Sequence, residues 1–321
     1  MSSDINRRTF GKQIVTAGIG LALARTAAPL RAAIGEASGS ATATSSALSK
    51  VKISNLELSR LILGCNLITG SLHARELRYV TDLSAHYNTD EKVLETFAVA
   101  EAHGINTFMT HDRPRVIALL KKHRERGGKL QWLVSPASPL DDYAAYDEEV
   151  QRLVLDGVAG LYIFGGHADR AVKEGKIDLL RRALASFKAA NVPAGIAAHA
   201  LEVVATAEQH RLDADYYVKT LHHHRYPGAP RAGEATSDWS EKPPAYWCRN
   251  PEETVALMKG LQKPWIAYKV MAAGAIPPRD GFRYAFDAGA HCILAGMFDF
   301  QIAEDVRIAN ELLTARRTRS T

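Results

Sequence analysis

The chain has 321 residues, 46% of them hydrophobic and 23% charged, with a formal net charge of +5. This is ordinary globular composition, enough for one large domain or two small ones, without the Pro, Gly or Cys excess of a fibrous, low-complexity or disulfide-framed chain. Much of the positive charge lies at the ends, in Arg7, Arg8 and RRTR at 316–319, and basic and aromatic residues do not interleave, so nucleic acid is not an expected partner.

The first 49 residues read as a leader and linker. Arg7 and Arg8, then Phe10 and Lys12, precede a mild apolar run from Ile14 to Ala24. This resembles a twin-arginine (Tat) export signal, which implies contact with the Tat machinery through Arg7 and Arg8 and a periplasmic or secreted destination. The run contains Gly18 and Gly20 and falls short of the ~20 apolar residues that a spanning helix needs, so no stable membrane insertion of the mature chain is expected. A Ser/Thr/Ala/Gly-rich stretch over 35–49 reads as a disordered linker.

From residue 50 the pattern alternates between short apolar runs and longer segments of helical period. Eight runs follow in order: RLILGCN (60–66), INTFMTHD (105–112), LQWLVSPA (130–137), GLYIFGG (160–166), PAGIAAHA (193–200), DYYVKTLH (215–222), PWIAYKVMAA (264–273) and HCILAGMFD (291–299). Among the intervening helices, DEKVLETFAVAEAHG (90–104) and RDGFRYAFDAGA (279–290) carry Gly104 and Gly289 as left-handed caps, and Asp90 and Asn250 are expected N-caps. Eight strand–helix units predict α/β architecture, a single (β/α)8 TIM barrel over 50–315, with 316–321 as a basic tail. An open doubly wound sheet is the competing reading, but LGCNLITGS stands where its glycine fingerprint would be.

Barrel sites lie at the C-terminal strand ends. Those ends, with the long interruption over 223–249, supply the candidates. Lys219 and Lys269 lie on neighbouring strands, and a mid-strand lysine costs free energy unless it is paired or functional. Two in one pocket would lower each other's pKa, giving a base or a carbonyl-polarising group. His167, His199 and His222 would handle protons, or together could bind a divalent metal. His223, Asn66, His111, Asp112 and Asp299 are expected to bind substrate, and Trp239, Tyr246 and Trp247 of the long loop to stack on it. Gly274 and Gly296 follow the last two strands, where many barrels grip phosphate. Cys65, Cys248 and Cys292 show no metal-ligand spacing.

The early units resemble the aldo/keto reductase barrel, through LSRLILGCN, DEKVLETFAVAEAHGINTFMTHD and GLYIFGGHADR. That family carries Asp and Tyr after the second strand, Lys at the third strand end and His at the fourth. Here the Asp position falls on Met109, no tyrosine follows within HDRPRVIALL, the third strand ends at Ser135 and Pro136, and the histidine position falls near Phe164 or Gly165 with His167 displaced. The resemblance therefore implies the fold and argues against the hydride-transfer chemistry.

A second resemblance is to exported TIM-barrel proteins of environmental bacteria. It rests on the Tat signal, on GGHADRAVKEGK (165–176), on YVKTLHH (217–223) and on the ending AAGAIPPRDGFRYAFDAGAHCILAGMFDFQ (272–301), and it transfers no activity. The expectation is thus an exported enzyme acting on a small hydroxylated substrate, a sugar or keto-sugar, as a lyase, isomerase, epimerase or hydrolase. No cofactor is assigned, and NAD(P) is not expected. The alternatives are a nicotinamide-dependent oxidoreductase with an altered site, and a non-catalytic small-molecule binding barrel.

Overall fold

The computed structural model describes residues 48–73, 77–230 and 248–320. Arg7, Arg8 and nearly all of the leader and linker, as well as Trp239, Tyr246 and Trp247, lie outside the described residues.

Two short strands, β1 (Lys50–Ile53) and β2 (Leu56–Ser59), form an antiparallel hairpin. Eight parallel strands then close on themselves: β3 (Leu61–Gly64), β4 (Thr107–His111), β5 (Gln131–Ser135), β6 (Gly160–Ile163), β7 (Ala194–Ala198), β8 (Tyr216–Thr220), β9 (Trp265–Tyr268) and β10 (Cys292–Ala295). They pair in sequence order, and β10 returns to β3. Each predicted run supplies one barrel strand, and the (β/α)8 expectation holds. Helices fill the crossovers, as a parallel sheet requires. After β3 come α1 (Arg78–Tyr87) and α2 (Asp90–Ala102); α3 (Pro114–Glu125) follows β4, and α4 (Tyr143–Leu155) follows β5. Two more, α5 (Gly165–Lys173) and α6 (Ile177–Ala189), follow β6; α7 (Leu201–Gln209) follows β7 and α8 (Pro251–Gly260) follows β8. The last are α9 (Pro278–Asp287) and α10 (Asp299–Ser320). The last helix takes in residues 316–320, which the sequence set apart as a tail.

The α2 cap is Thr89 and not Asp90: its hydroxyl accepts from the Lys92 N–H, and Asp90 instead pairs with Arg115. Asn250 does cap α8, with Pro251 beginning the helix, but its amide bonds the Glu253 carboxylate.

Alternation along each strand divides the core in two. Ile62, Met109, Leu133, Tyr162, Ala197, Tyr216, Val218 and Ile266 fill the barrel interior. Leu61, Phe108, Trp132, Leu161, Ile196, Tyr217, Trp265 and Ile293 face outward and pack against the helices. The hairpin closes the N-terminal end, inserting Ile53 and Leu58 into the inner cluster. Asn106 and Gln131, at the starts of β4 and β5, donate side-chain hydrogen bonds to the Glu57 carbonyl. The opposite end is left for the site.

One contact ties α9 to that end. A Cβ on Gly281 would lie 2.6 Å from the Val270 carbonyl oxygen, a backbone atom with little room to yield. Helix propensity alone would favour Gly281→Ala by about 1 kcal/mol, while overpacking of this kind costs about 1–3 kcal/mol. The variant is expected to be net destabilised, with a lower midpoint in urea; an unchanged or raised midpoint would mean that the loop after β9 is not clamped by α9.

Candidate active site

A cavity of about 630 Å³ opens at the C-terminal ends of the barrel strands, within the roughly 300–1,000 Å³ of small-molecule sites. Its wall follows the inward parity. Gly64 and Asn66 continue β3, Met109 and His111 lie on β4, Ala197 and His199 follow β7, and Tyr268 ends β9.

Lys269 follows directly after β9. Its parity matches the outward-facing Trp265 and Ala267, so a regular strand would send it to the helices. Instead its φ is +58°, and Ala272 and Ala273 are left-handed too. Such residues cost roughly 1–3 kcal/mol each unless their surroundings over-determine them. His222 is one determinant. Its Nε2 accepts from the Cys248 N–H at 3.0 Å, which leaves Nδ1–H to donate to the Lys269 carbonyl at 3.1 Å. Burial pushes the His222 pKa down to about 3, so the imidazole stays neutral and this pattern persists at physiological pH.

The break turns the Lys269 ammonium into the cavity, where it donates to His73 Nε2 at 2.6 Å. Burial lowers the Lys269 pKa to about 7. Burial, then the nearby Lys269 charge, pushes His73 down to about 3. The imidazole is therefore the acceptor, and Lys269 is poised to release or take up a proton near neutrality.

Tyr268 Oη is buried and has no hydrogen-bond partner among the described residues. The Thr220 hydroxyl, its polar neighbour, is likewise without one by geometry. Desolvation raises the Tyr268 pKa well above the ordinary phenol value, so it stays a hydroxyl. Gly165 makes the room beside it, since a Cβ there would stand 3.1 Å from Tyr268 Oη and 3.0 Å from His199 Cε1. His199 is held from behind: its Nδ1 donates to Asp169 Oδ2 at 2.7 Å, while Asp169 Oδ1 accepts from the His199 and Ala200 N–H groups. Burial lowers the His199 pKa in spite of Asp169. His111 Nδ1 lies 2.9 Å from Ser135 Oγ, and burial, then Arg113 and Lys269, pushes its pKa down to about 4.

Four of the expected site residues line this cavity: Asn66, His111, His199 and Lys269. The others do not. Lys219 shares the outward parity of Tyr217, is fully buried among the helices, and donates to the carbonyls of His199 and Thr220. The expected two-lysine pocket is absent. His222 pins Lys269 from outside, and His223 bridges the Arg225 N–H and Asp280. His167 lies on α5 beside the Phe164 ring. Asp112 pairs with Arg152, and Asp299 binds Tyr87 and Lys92. The possible metal set His167, His199 and His222 does not converge: among the described residues no three His, Cys, Asp or Glu are placed to hold an ion.

Sequence reasoning missed His73, Tyr268, Asp169 and Arg113. Tyr268 was within reach, because parity with the inward Ile266 directs it to the cavity. Asp169 lies in the quoted GGHADR motif, two residues past the histidine that drew attention. His73 and Arg113 sit in loops, where no periodicity reports direction.

No family model matches the sequence, and no curated protein matches it. Solved structures do match in fold. A Pseudomonas aeruginosa protein described as an aldo-keto reductase by assignment is 17% identical, with a TM-score of 0.57, covering 85% of this chain and 99% of its own. An aldo-keto reductase from Bacillus halodurans, in its holo form, is 14% identical, with a TM-score of 0.53 and coverages of 81% and 90%. A further barrel, solved in complex with NADPH, is 10% identical, with a TM-score of 0.52 and coverages of 82% and 88%. The aldo/keto reductase-like barrel is thereby established as the fold. The expectation of a carbohydrate lyase, isomerase or hydrolase is corrected: the solved barrels that this chain resembles are described as aldo-keto reductases, and the paired lysines on which that expectation stood face different layers.

The Lys269 environment has a consequence for stability. Its folded-state pKa of about 7 lies below the ordinary 10.5, so between these values the unfolded chain holds a proton that the folded chain has released. Stability contributed by this group therefore rises with pH across that window. The unfolding free energy of the wild type minus that of Lys269→Met should rise between about pH 7 and pH 10, by on the order of 2–4 kcal/mol. A flat difference in chemical denaturation would mean that Lys269 is solvated.

Proposed function

We propose that this chain is a nicotinamide-dependent oxidoreductase that interconverts a carbonyl compound and its alcohol, with a proton-transfer apparatus rebuilt on β7 and β9. The observation that carries this reading is the unpaired, buried Tyr268 hydroxyl beside the Lys269 ammonium. Together they offer a hydrogen-bond donor and an acid of matched pKa to one oxygen atom. The NADPH-bound neighbour supports the choice of cofactor, which the missing tetrad had argued against.

The wall fits the nicotinamide end of such a cofactor. The cavity leaves the Tyr268 hydroxyl without a partner among the described residues and keeps the space beside Gly165 open. Phe164 and Leu294 offer apolar faces to a ring, Asn66 an amide for its carboxamide, and the turn around Gly274 a site for the phosphates. Bound there in reduced form, the cofactor would supply the hydride, two electrons with one hydrogen, to the carbonyl carbon.

The chain's own residues do the rest. Tyr268 donates a hydrogen bond to the carbonyl oxygen and polarises it. Lys269 delivers the proton to that oxygen as negative charge develops, and the neutral Lys269 is then reprotonated from solvent by way of His73. His199, with its tautomer fixed by Asp169, presents Nε2 toward the reacting groups. Lys219 holds the His199 carbonyl and so acts on position only. The twin-arginine leader would carry the chain across the membrane already folded, so the cofactor would be loaded before export.

NADPH binding, followed by quenching of protein fluorescence, and NADPH oxidation with a panel of aldehydes and ketones test this reading. Carbonyl reduction should require the Lys269 ammonium, so kcat/KM should fall as pH rises through about 7. Lys269→Met should lose roughly 10²–10⁴-fold in kcat and with it the pH dependence. Tyr268→Phe should lose less, about 10–10³-fold, because one hydrogen-bond donor goes while the acid remains. No fluorescence change and no turnover with either NADH or NADPH would overturn the proposal.

A further inference from the structure

The cavity wall has one property that the carbonyl chemistry does not use. Among the described residues that line it none is Asp or Glu, while Arg113 carries a fixed positive charge and Lys269 one that it can release. Two described carboxylates nearby are engaged elsewhere. Asp169 lies behind His199, and Asp112 is paired with Arg152. Arg113 stands at the end of β4, three strands round the barrel from β9, and the Lys269 side chain reaches from β9 to His73 in the segment after β3. His111 lines the same cavity and is close enough to both cations to feel their charge. Its Nδ1 is taken up by Ser135, and Nε2 is the ring nitrogen left for the cavity.

Arg113 is exposed at the rim and Lys269 is buried deeper, so the field over the cavity favours an anionic ligand. Much of the remaining wall is apolar, with Met109, Phe164, Val218 and Leu294 among its residues. A ligand that completes this site carries one negative charge, a carbonyl next to it, and an apolar tail. We infer that the substrate is an α-oxo carboxylic acid with an apolar side chain, its carboxylate held by His111, Arg113 and Lys269 and its keto oxygen on Tyr268. This rests on the oxidoreductase reading for its chemistry, although the anion site does not depend on it. Reduction is balanced: the keto carbon gains hydride from reduced nicotinamide, the oxygen gains the Lys269 proton, the product is the α-hydroxy acid, and the cofactor leaves oxidised.

The test uses the full chain without cofactor, titrated by calorimetry with the oxo acid derived from leucine. Its neutral analogue, in which a methyl ketone replaces the carboxylate, and inorganic phosphate are the comparison ligands. The oxo acid should bind at least tenfold more tightly than the neutral diketone. Arg113→Gln should weaken the oxo acid about tenfold and leave the diketone unchanged, and added salt should weaken only the acid. Circular dichroism of Arg113→Gln checks that the fold is retained, and Arg113→Lys, which keeps the charge, should restore most of the affinity. Equal affinity for acid and diketone, an equal effect of Arg113→Gln on both, or binding of phosphate with no binding of the acid would each overturn the inference. The two readings fail separately. Saturable binding of the oxo acid without any response to NADPH would sink the oxidoreductase and keep the anion site, whereas NADPH-dependent reduction of the diketone alone would do the reverse.

Discussion

The two-residue alternation of a closed barrel governs this site. Once eight strands pair in sequence order, each residue is committed either to the interior or to the helix layer, and no residue between two paired neighbours can choose. Asn66, His111 and His199 reach the cavity because they share parity with Ile62, Met109 and Ala197. Lys219 is withdrawn from it because it shares parity with Tyr217. The exception is Lys269, which reaches the cavity only because the chain abandons strand geometry at that residue.

That departure is held in place by the histidine run. His222 fixes the Lys269 carbonyl and the returning chain at Cys248, His223 ties the segment to Asp280 of α9, and His224 bonds the Cys248 carbonyl. Gly281 lets α9 approach Val270 closely enough to close the clamp. Three consecutive imidazoles that look like ligands or acids are thus joints. Burial keeps the His222 ring neutral, and a neutral ring can donate at one nitrogen and accept at the other. The strain they secure turns one ammonium group toward a neutral imidazole in a partly dry cavity. That is the setting in which a lysine pKa falls into the range useful for proton transfer.

The reaction proposed for this arrangement needs no tetrad at the usual strands. The same residue types, a tyrosine, a lysine, a histidine and an aspartate, meet here from β9, from the loop beyond β7 and from α5. A barrel permits this relocation because all eight strand ends open on one cavity, and chemistry depends on where the groups converge rather than on which strand carries them.

The sequence by itself determined the architecture: eight β-rich runs at regular spacing with helical segments between them leave little but a closed parallel barrel, and the strand ends name the face on which a site must lie. It also supplied Asn66, His111, His199 and Lys269 as candidates. Only the tertiary structure decided which side of the wall each lysine faces, because parity is relative until one residue of a strand is anchored, and because a left-handed residue resets it. Loop residues such as His73 and Arg113 have no period to betray their direction. They join the site through packing between segments far apart in the chain, and no local pattern records that.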